Sequence, residues 1–258
     1  MIFQKILFSE NDGVAVVTLN RPEVMNALDR VMREEVTAAV RAAERSARVI
    51  VLTGAGRAFC SGQDLADAGS AEGMDLQRTL RDEYEPMLRA IFDARVPVIA
   101  AVNGVAAGAG ANLALAADVV IAAETASFVQ AFARIGLIPD AGGSYWLPRQ
   151  IGFARAMGAA LFAEKISARQ AADWGMIWQA VPDHEFDAAW RARSQHLAGG
   201  PTVAYRHIRT ALRASFANDL DTQLALEAEL QGTCGRSADF REGVAAFLEK
   251  RAARFTGK

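Results

Sequence analysis

Histidine and cysteine are scarce: the chain has three histidines and two cysteines among 258 residues. Cys60 and Cys234 lie far apart and in no metal-ligand spacing, so neither a disulfide framework nor a thiolate-held metal has a basis, and a reducing cytoplasm is the expected setting. Cys60 reads as a small buried hydrophobe. His184, His196 and His207 all fall in the last third, away from the glycine-rich loops, and read as helix-surface residues. An excess of one charge is also lacking. The net charge is −2, and Arg236 to Lys258 mixes basic with acidic residues, which argues against tracking a phosphate backbone and so against nucleic acid as a partner.

Other absences narrow the chemistry further. The N-terminus shows no basic segment followed by a long apolar one, so no secretory signal is expected. The uncharged run from Val96 to Ala117 contains Pro97, two asparagines and three glycines and lacks flanking basic clusters. It reads as a buried strand turning into a buried helix, and no membrane association is expected. No GxxxxGK[ST] sequence is present to hold nucleotide phosphates, and Leu113 occupies the third glycine position of a dinucleotide fingerprint. Ser61 sits in "CSG", not in the G-x-S-x-G turn of a nucleophilic serine.

What is present is a folding-competent composition, 52% hydrophobic and 22% charged, in a chain long enough for one large α/β domain with a helical appendage. "IFQKILFSE" and "VAVVTLN" flank Asn11-Asp12-Gly13, a hairpin signature. Asp29 is placed to cap a helix running to about Ser46. "VIVLTG", "VPVIAAV" and "DVVIAAE" are short β-branched runs suited to strands covered on both faces, with a charged helical stretch from about Asp75 to Arg95 and a small-residue helix between them. Beyond Asp140 the pattern turns helical. Ser167 and Gln170 form a capping box, Gly175 stops that helix, and "GMIWQAVP" supplies a last strand. Phe240, Val244, Phe247 and Leu248 mark an apolar stripe on a helix near the end. The implied division is a core over residues 1–198 and a helical region over 199–258.

Two glycine-rich segments each follow a buried strand: "CSGQD" and "NGVAAGAGAN". Small residues let backbone N–H groups approach a ligand, and two such loops can hold a carbonyl oxygen as it becomes negative. Close packing of turns is the alternative for either loop alone. The same ambiguity attaches to Asp140 in "LIPDAGG", which suits a turn as well as a catalytic carboxylate.

These segments carry a resemblance. "RPEVMNAL", "GAGRAFCSGQDL", "AVNGVAAGAGANLALAAD" and "FARIGLIPDAGGSYWLPR" are similar to the motifs of the crotonase, or enoyl-CoA hydratase/isomerase, superfamily, and the similarity runs along essentially the whole chain. It implies a spiral of ββα units, an α/β fold with a C-terminal helical trimerisation region, and assembly as a homotrimer or a dimer of trimers. It also implies an acyl-CoA substrate, with coenzyme A part of the substrate and no separate cofactor or metal. By the same resemblance, the N–H groups of Gln63 and Ala109 form an oxyanion hole, Ala109 replacing the usual glycine. Met25, Ala27, Ser61, Asp64 and Leu65 fall at substrate- or CoA-binding positions. Core packing competes for Met25, Ala27 and Leu65, and backbone bonding for Asp64. Lys258, with Lys250 nearby, could meet the CoA phosphates, a solvated tail being the alternative.

Departures from the family pattern point to the reaction. Hydratases of the family use two glutamates; here Asn112 and Phe132 stand at those positions, so hydration is not expected. Asn112 reads either as a substrate-orienting group or as a satisfied buried amide. Asp140 matches the aspartate of isomerases carrying "PD-x-GG" and is the implied proton shuttle, with Leu137, Ile138 and Trp146 expected to desolvate it. "ISARQAADWGMIWQAV" and the tail from Gly235 are similar to isomerases of ring-epoxidised phenylacetyl-CoA. That similarity implies conversion of the ring epoxide to an oxepin and transfer of a 3,4-double bond to the 2,3-position. A general Δ3,Δ2-enoyl-CoA isomerase and, in another class, an RNA-binding protein of the same fold are the competing readings. Because the oxyanion donors are main-chain groups, Gln63→Ala is expected to leave most activity intact.

Overall fold

The computed structural model describes residues 3–65 and 75–258. The hairpin expected at the start is present: β1 (Ile6–Asn11) pairs antiparallel with β2 (Val14–Leu19), and Asp12 and Gly13 both take positive φ in the turn. The expected strand reached back to Ile2, which lies outside the described residues. The chain then alternates between two sheets. In the six-stranded sheet β2 is followed by β3 (Val49–Gly54), β5 (Val98–Val102), β7 (Val119–Ala123) and β10 (Gln179–Val181), each parallel to its neighbour. The four-stranded sheet holds β4 (Ala58–Cys60), β6 (Val105–Ala107), β8 (Ser127–Val129) and β9 (Ile166–Ser167). Three successive turns of chain thus deliver a strand to each sheet in order, β3 with β4, β5 with β6, and β7 with β8. This is the spiral that the resemblance implies.

Burial explains the composition of the large sheet. Every residue of β5, and Val49 to Leu52 of β3, is buried. Each fully buried Val, Leu or Ile contributes about 1.5–3 kcal/mol relative to exposure. Helix α1 (Arg30–Ala43) covers this sheet, capped by Asp29, whose carboxylate accepts from Met32 N at 2.7 Å. Next come α2 (Leu76–Thr79), a wide π-helical turn from Leu80 to Tyr84, and α3 (Glu85–Phe92). The small-residue helix is α4 (Ala109–Leu115), buried throughout because Ala and Gly let it approach the strands.

After Asp140 the chain runs through α5 (Gly143–Phe162), broken at Gly152 by a non-helical φ of 75°, then α6 (Ala168–Asp173), where Ser167 Oγ accepts from Gln170 N as the expected cap. Helices α7 (Phe186–Ala198), α8 (Thr202–Ala214), α9 (Leu220–Gly235) and α10 (Ala238–Glu249) complete the chain. Partly buried charge ties α8 to the sheet: Asp118 accepts from Arg209 Nε and Arg213 Nη2, both at 2.7 Å, and from Val98 N at 2.8 Å. Among the described residues no helix is long and apolar enough to cross a membrane.

Candidate active site

The "CSGQD" loop leaves β4 through Gly62, whose φ of +99° favours glycine. A Cβ there would lie 2.8 Å from the Ala107 carbonyl and 3.4 Å from Ala109 N. The missing side chain therefore lets the two glycine-rich loops meet, and it puts the Gln63 peptide next to the start of α4. Leu28 brackets Gln63 from the other side, its N–H donating to Gly62 O at 2.7 Å and its carbonyl accepting from Asp64 N at 3.1 Å. These bonds fix the loop while the N–H groups of Gln63 and Ala109 keep no acceptor among the described residues. Two adjacent free donors, one at a helix start, are the arrangement that can stabilise a developing oxyanion.

Asp140 is half-buried in the turn before α5. Ala141 follows at φ 48°, a costly conformation for a residue with a Cβ, and Gly142 at φ 83°. The turn is held through its main-chain carbonyl: Asp140 O accepts from Gly143 N at 2.8 Å and from the Asn112 side-chain Nδ2 at 2.7 Å. The carboxylate caps nothing at the head of α5, and its Oδ1 is buried without a partner among the described residues. Desolvation by burial pushes its pKa up to about 6 from an ordinary 3.8. A carboxylate serving only as a turn residue would be bonded to nearby N–H groups and held low.

A cavity of about 670 Å³ lies beside Asp140, walled by Tyr84, Phe92, Tyr145 and Trp146 together with Leu80 and Leu88. Its aromatic wall is ordered: Tyr145 and Trp146 meet edge to face at 4.7 Å, and Phe92 tilts on Trp146 at 5.1 Å. Trp146, one of the residues expected to desolvate Asp140, lines the cavity beside it. Ile138 also lines it but is 78% exposed, so it shields Asp140 far less than its apolar character suggested. Neither Gln63 nor Ala109 lines this cavity. The two parts of the site meet through Asn112, one turn beyond Ala109, and through Tyr84, whose hydroxyl donates to Gln63 Oε1 at 2.5 Å.

The remaining residues sort clearly. Asn112 is fully buried, and its Oδ1 accepts from Gln130 Nε2 at 2.8 Å, so of the two readings it is the satisfied amide, clamping the Asp140 turn. Phe132 is buried with its ring 3.8 Å from where a Cβ of Gly108 would stand. Asp64 pairs with Arg21 Nη1 at 2.8 Å, which fits the structural role. Ser61 donates to Val24 O at 3.2 Å. Met25 and Leu65 are exposed beside the loops, whereas Ala27 is buried. Lys258 is exposed, and its carbonyl accepts from Asp239 N at the head of α10. The adjoining Gly257 packs on Arg48, which precedes β3 and so stands at the opposite end of the sheet from the loops. Within one chain Lys258 does not join the other candidates. His184 and His196 are exposed, but His207 departs from the surface reading: its Nε2 is buried without a partner among the described residues.

Sequence reasoning missed Tyr84, Arg33, Glu83 and Gln130. Tyr84 lies in a charged helical stretch where nothing local marks one aromatic as special. Only the wide turn, a feature that frequents functional sites, distinguishes it.

The chain belongs to the enoyl-CoA hydratase/isomerase family, whose model matches residues 9–258. It is 63% identical to a "Probable enoyl-CoA hydratase" of Rhodobacter capsulatus, with 100% of each chain covered. It is 48% identical to the 1,2-epoxyphenylacetyl-CoA isomerase of Escherichia coli, with 98% of each covered. Among solved structures, an enoyl-CoA hydratase subunit I from Geobacillus kaustophilus superposes with a TM-score of 0.93 at 34% identity, with 99% of each chain covered.

Proposed function

We propose that this enzyme is an acyl-CoA isomerase that converts ring-epoxidised phenylacetyl-CoA to the oxepin-CoA and moves 3,4-double bonds of enoyl-CoA to the 2,3-position. The observation that carries the reading is Asp140, a half-buried carboxylate with a raised pKa, one oxygen buried without a partner among the described residues, and a place on the lining of a cavity with aromatic walls. The thioester oxygen accepts hydrogen bonds from the N–H groups of Gln63 and Ala109, so the α-proton is removed to give an enolate whose charge rests on that oxygen. Asp140 takes the proton from C2 and returns it at C4. In the ring substrate the carbon–carbon bond shared by the epoxide and the six-membered ring also breaks to give the seven-membered ring, and the composition of either substrate is unchanged. One base suffices because the proton leaves and returns on the same molecule. Coenzyme A arrives as part of the substrate. The aromatic wall and the Escherichia coli relative support a ring-derived acyl group.

The reading extends to assembly and setting: a homotrimer or dimer of trimers in the cytoplasm, joined through the helices from α8 onward. A second reading, hydration, is favoured by the name of the Rhodobacter relative and opposed by Asn112 and Phe132, neither of which can activate water. The test is incubation with ring-epoxidised phenylacetyl-CoA, a linear 3-enoyl-CoA and crotonyl-CoA, with products followed by mass and ultraviolet spectra. Isomerised products from the first two and negligible 3-hydroxyacyl-CoA from the third are expected. Activity on the linear substrate alone would favour the general isomerase, and efficient hydration would overturn the proposal.

A further inference from the structure

The Gln63 side chain is anchored far more heavily than a residue contributing only its N–H requires. Its Oε1 accepts from Tyr84 OH at 2.5 Å and from Arg33 Nη1 at 3.0 Å. Arg33 is itself immobilised, its Nη2 and Nε bonding Glu83 Oε2 at 2.5 and 3.1 Å and its Nη1 also donating to Leu28 O at 2.6 Å. Leu28 is the residue that brackets the Gln63 backbone. Arg33 and Glu83 are both buried, and a buried ion pair contributes little net stability, though it fixes geometry. The guanidinium also lies over the Tyr84 ring at 4.8 Å from its centroid. Tyr84 is buried, carries its hydroxyl to Gln63 and walls the Asp140 cavity with its ring.

We infer that Tyr84 and Arg33 are positioning residues, which clamp the Gln63 carboxamide so that the peptide N–H beside it stays aimed at the thioester oxygen. This rests on the proposed acyl-CoA reading and deepens it. The wide turn from Leu80 to Tyr84 sets two successive side chains, Glu83 on Arg33 and Tyr84 on Gln63, so the oxyanion loop and the wall of the base's cavity are held by one element. It also reverses the expectation for Gln63→Ala. Truncation removes the acceptor of two buried donors and frees the loop, so activity falls although the N–H remains.

The test uses Tyr84→Phe and Gln63→Met in the full-length protein, both near-isosteric, with melting temperature recorded alongside. Steady-state rates on the linear 3-enoyl-CoA are combined with isotope-edited infrared spectra of bound phenylacetyl-CoA labelled at the thioester carbon. The wild-type protein lowers the carbonyl stretching frequency relative to free thioester. Tyr84→Phe should reduce that shift and cut kcat about tenfold, and Gln63→Met by up to about a hundredfold, the order of one lost oxyanion donor, with KM changed less than about twofold. A folded Gln63→Met protein with wild-type carbonyl shift and kcat would overturn the clamp while leaving the acyl-CoA reading intact. Absence of any shift in the wild-type protein would overturn the acyl-CoA reading itself, and the clamp with it.

Discussion

The loops around Gln63, Ala109 and Asp140 and the helices α8 to α10 both leave groups without partners, but of opposite kinds. In the loops the groups without a partner among the described residues are polar: two main-chain N–H donors and one buried carboxylate oxygen. On the helices, His207 Nε2 apart, they are apolar, with Phe247 83% and Leu248 73% exposed beside Phe240 and Val244. A hollow of about 1040 Å³ runs among Ile208, Leu212, Leu224 and Phe247, and it contains none of the catalytic candidates. Under the proposed function, the polar groups of the loops meet a substrate that supplies an oxygen and a proton. Continuous apolar surface of this extent calls for a protein surface. On the same proposal, substrate completes the site and other copies of the chain cover the helical surface.

Three perturbations sharpen that contrast, beginning with the most damaging. Ala109→Pro deletes one donor outright, and kcat should fall by about a hundredfold or more while CoA binding and melting temperature hold. A folded variant with near-normal turnover would return the glycine-rich loop to a packing role. On the helical side, Phe247→Glu combined with Leu248→Glu should break assembly. Light scattering at micromolar concentration should give three or six times 27.6 kDa for the wild-type chain and smaller species for the variant. A monomeric wild-type mass would refute the assembly.

The smallest effect is on stability. Folding raises the Asp140 pKa from 3.8 to about 6, so ionising it costs stability that is fully retained below pH 3.8 and lost as pH rises through 6. Asp140→Asn should therefore stabilise the protein at pH 8 by about 1–2 kcal/mol, a value discounted for partial exposure, and leave it nearly unchanged at pH 4. Equal unfolding midpoints in denaturant at pH 8 would show that the carboxylate is not desolvated.

The same contrast explains what was legible in the sequence. Strands β3, β5 and β7 of the large sheet are runs of five or six residues rich in β-branched side chains, and such runs declare themselves. Those of the smaller sheet, Ala58–Cys60, Val105–Ala107, Ser127–Val129 and Ile166–Ser167, are two or three residues long, and none of them reads as a strand in the sequence. Their pairing is imposed by tertiary neighbours, and no local period can reveal it. In the site, Asp140, Gln63 and Ala109 stood out through motif resemblance, whereas the Tyr84–Gln63–Arg33 clamp joins residues far apart in sequence. The exposure of Ile138 was hidden for a similar reason, since an apolar residue beside a carboxylate need not cover it.

The most direct test of the central claim, that Asp140 is the base, is the pH dependence of kcat/KM on a linear 3-enoyl-CoA for the wild-type protein and Asp140→Asn in parallel. The wild-type rate should rise tenfold per pH unit below about pH 6 and level off above it, as the carboxyl ionises. Asp140→Asn should bind acyl-CoA yet lose about a thousandfold in rate and the inflection with it. A variant that keeps wild-type turnover, or the same inflection near pH 6, would contradict the assignment.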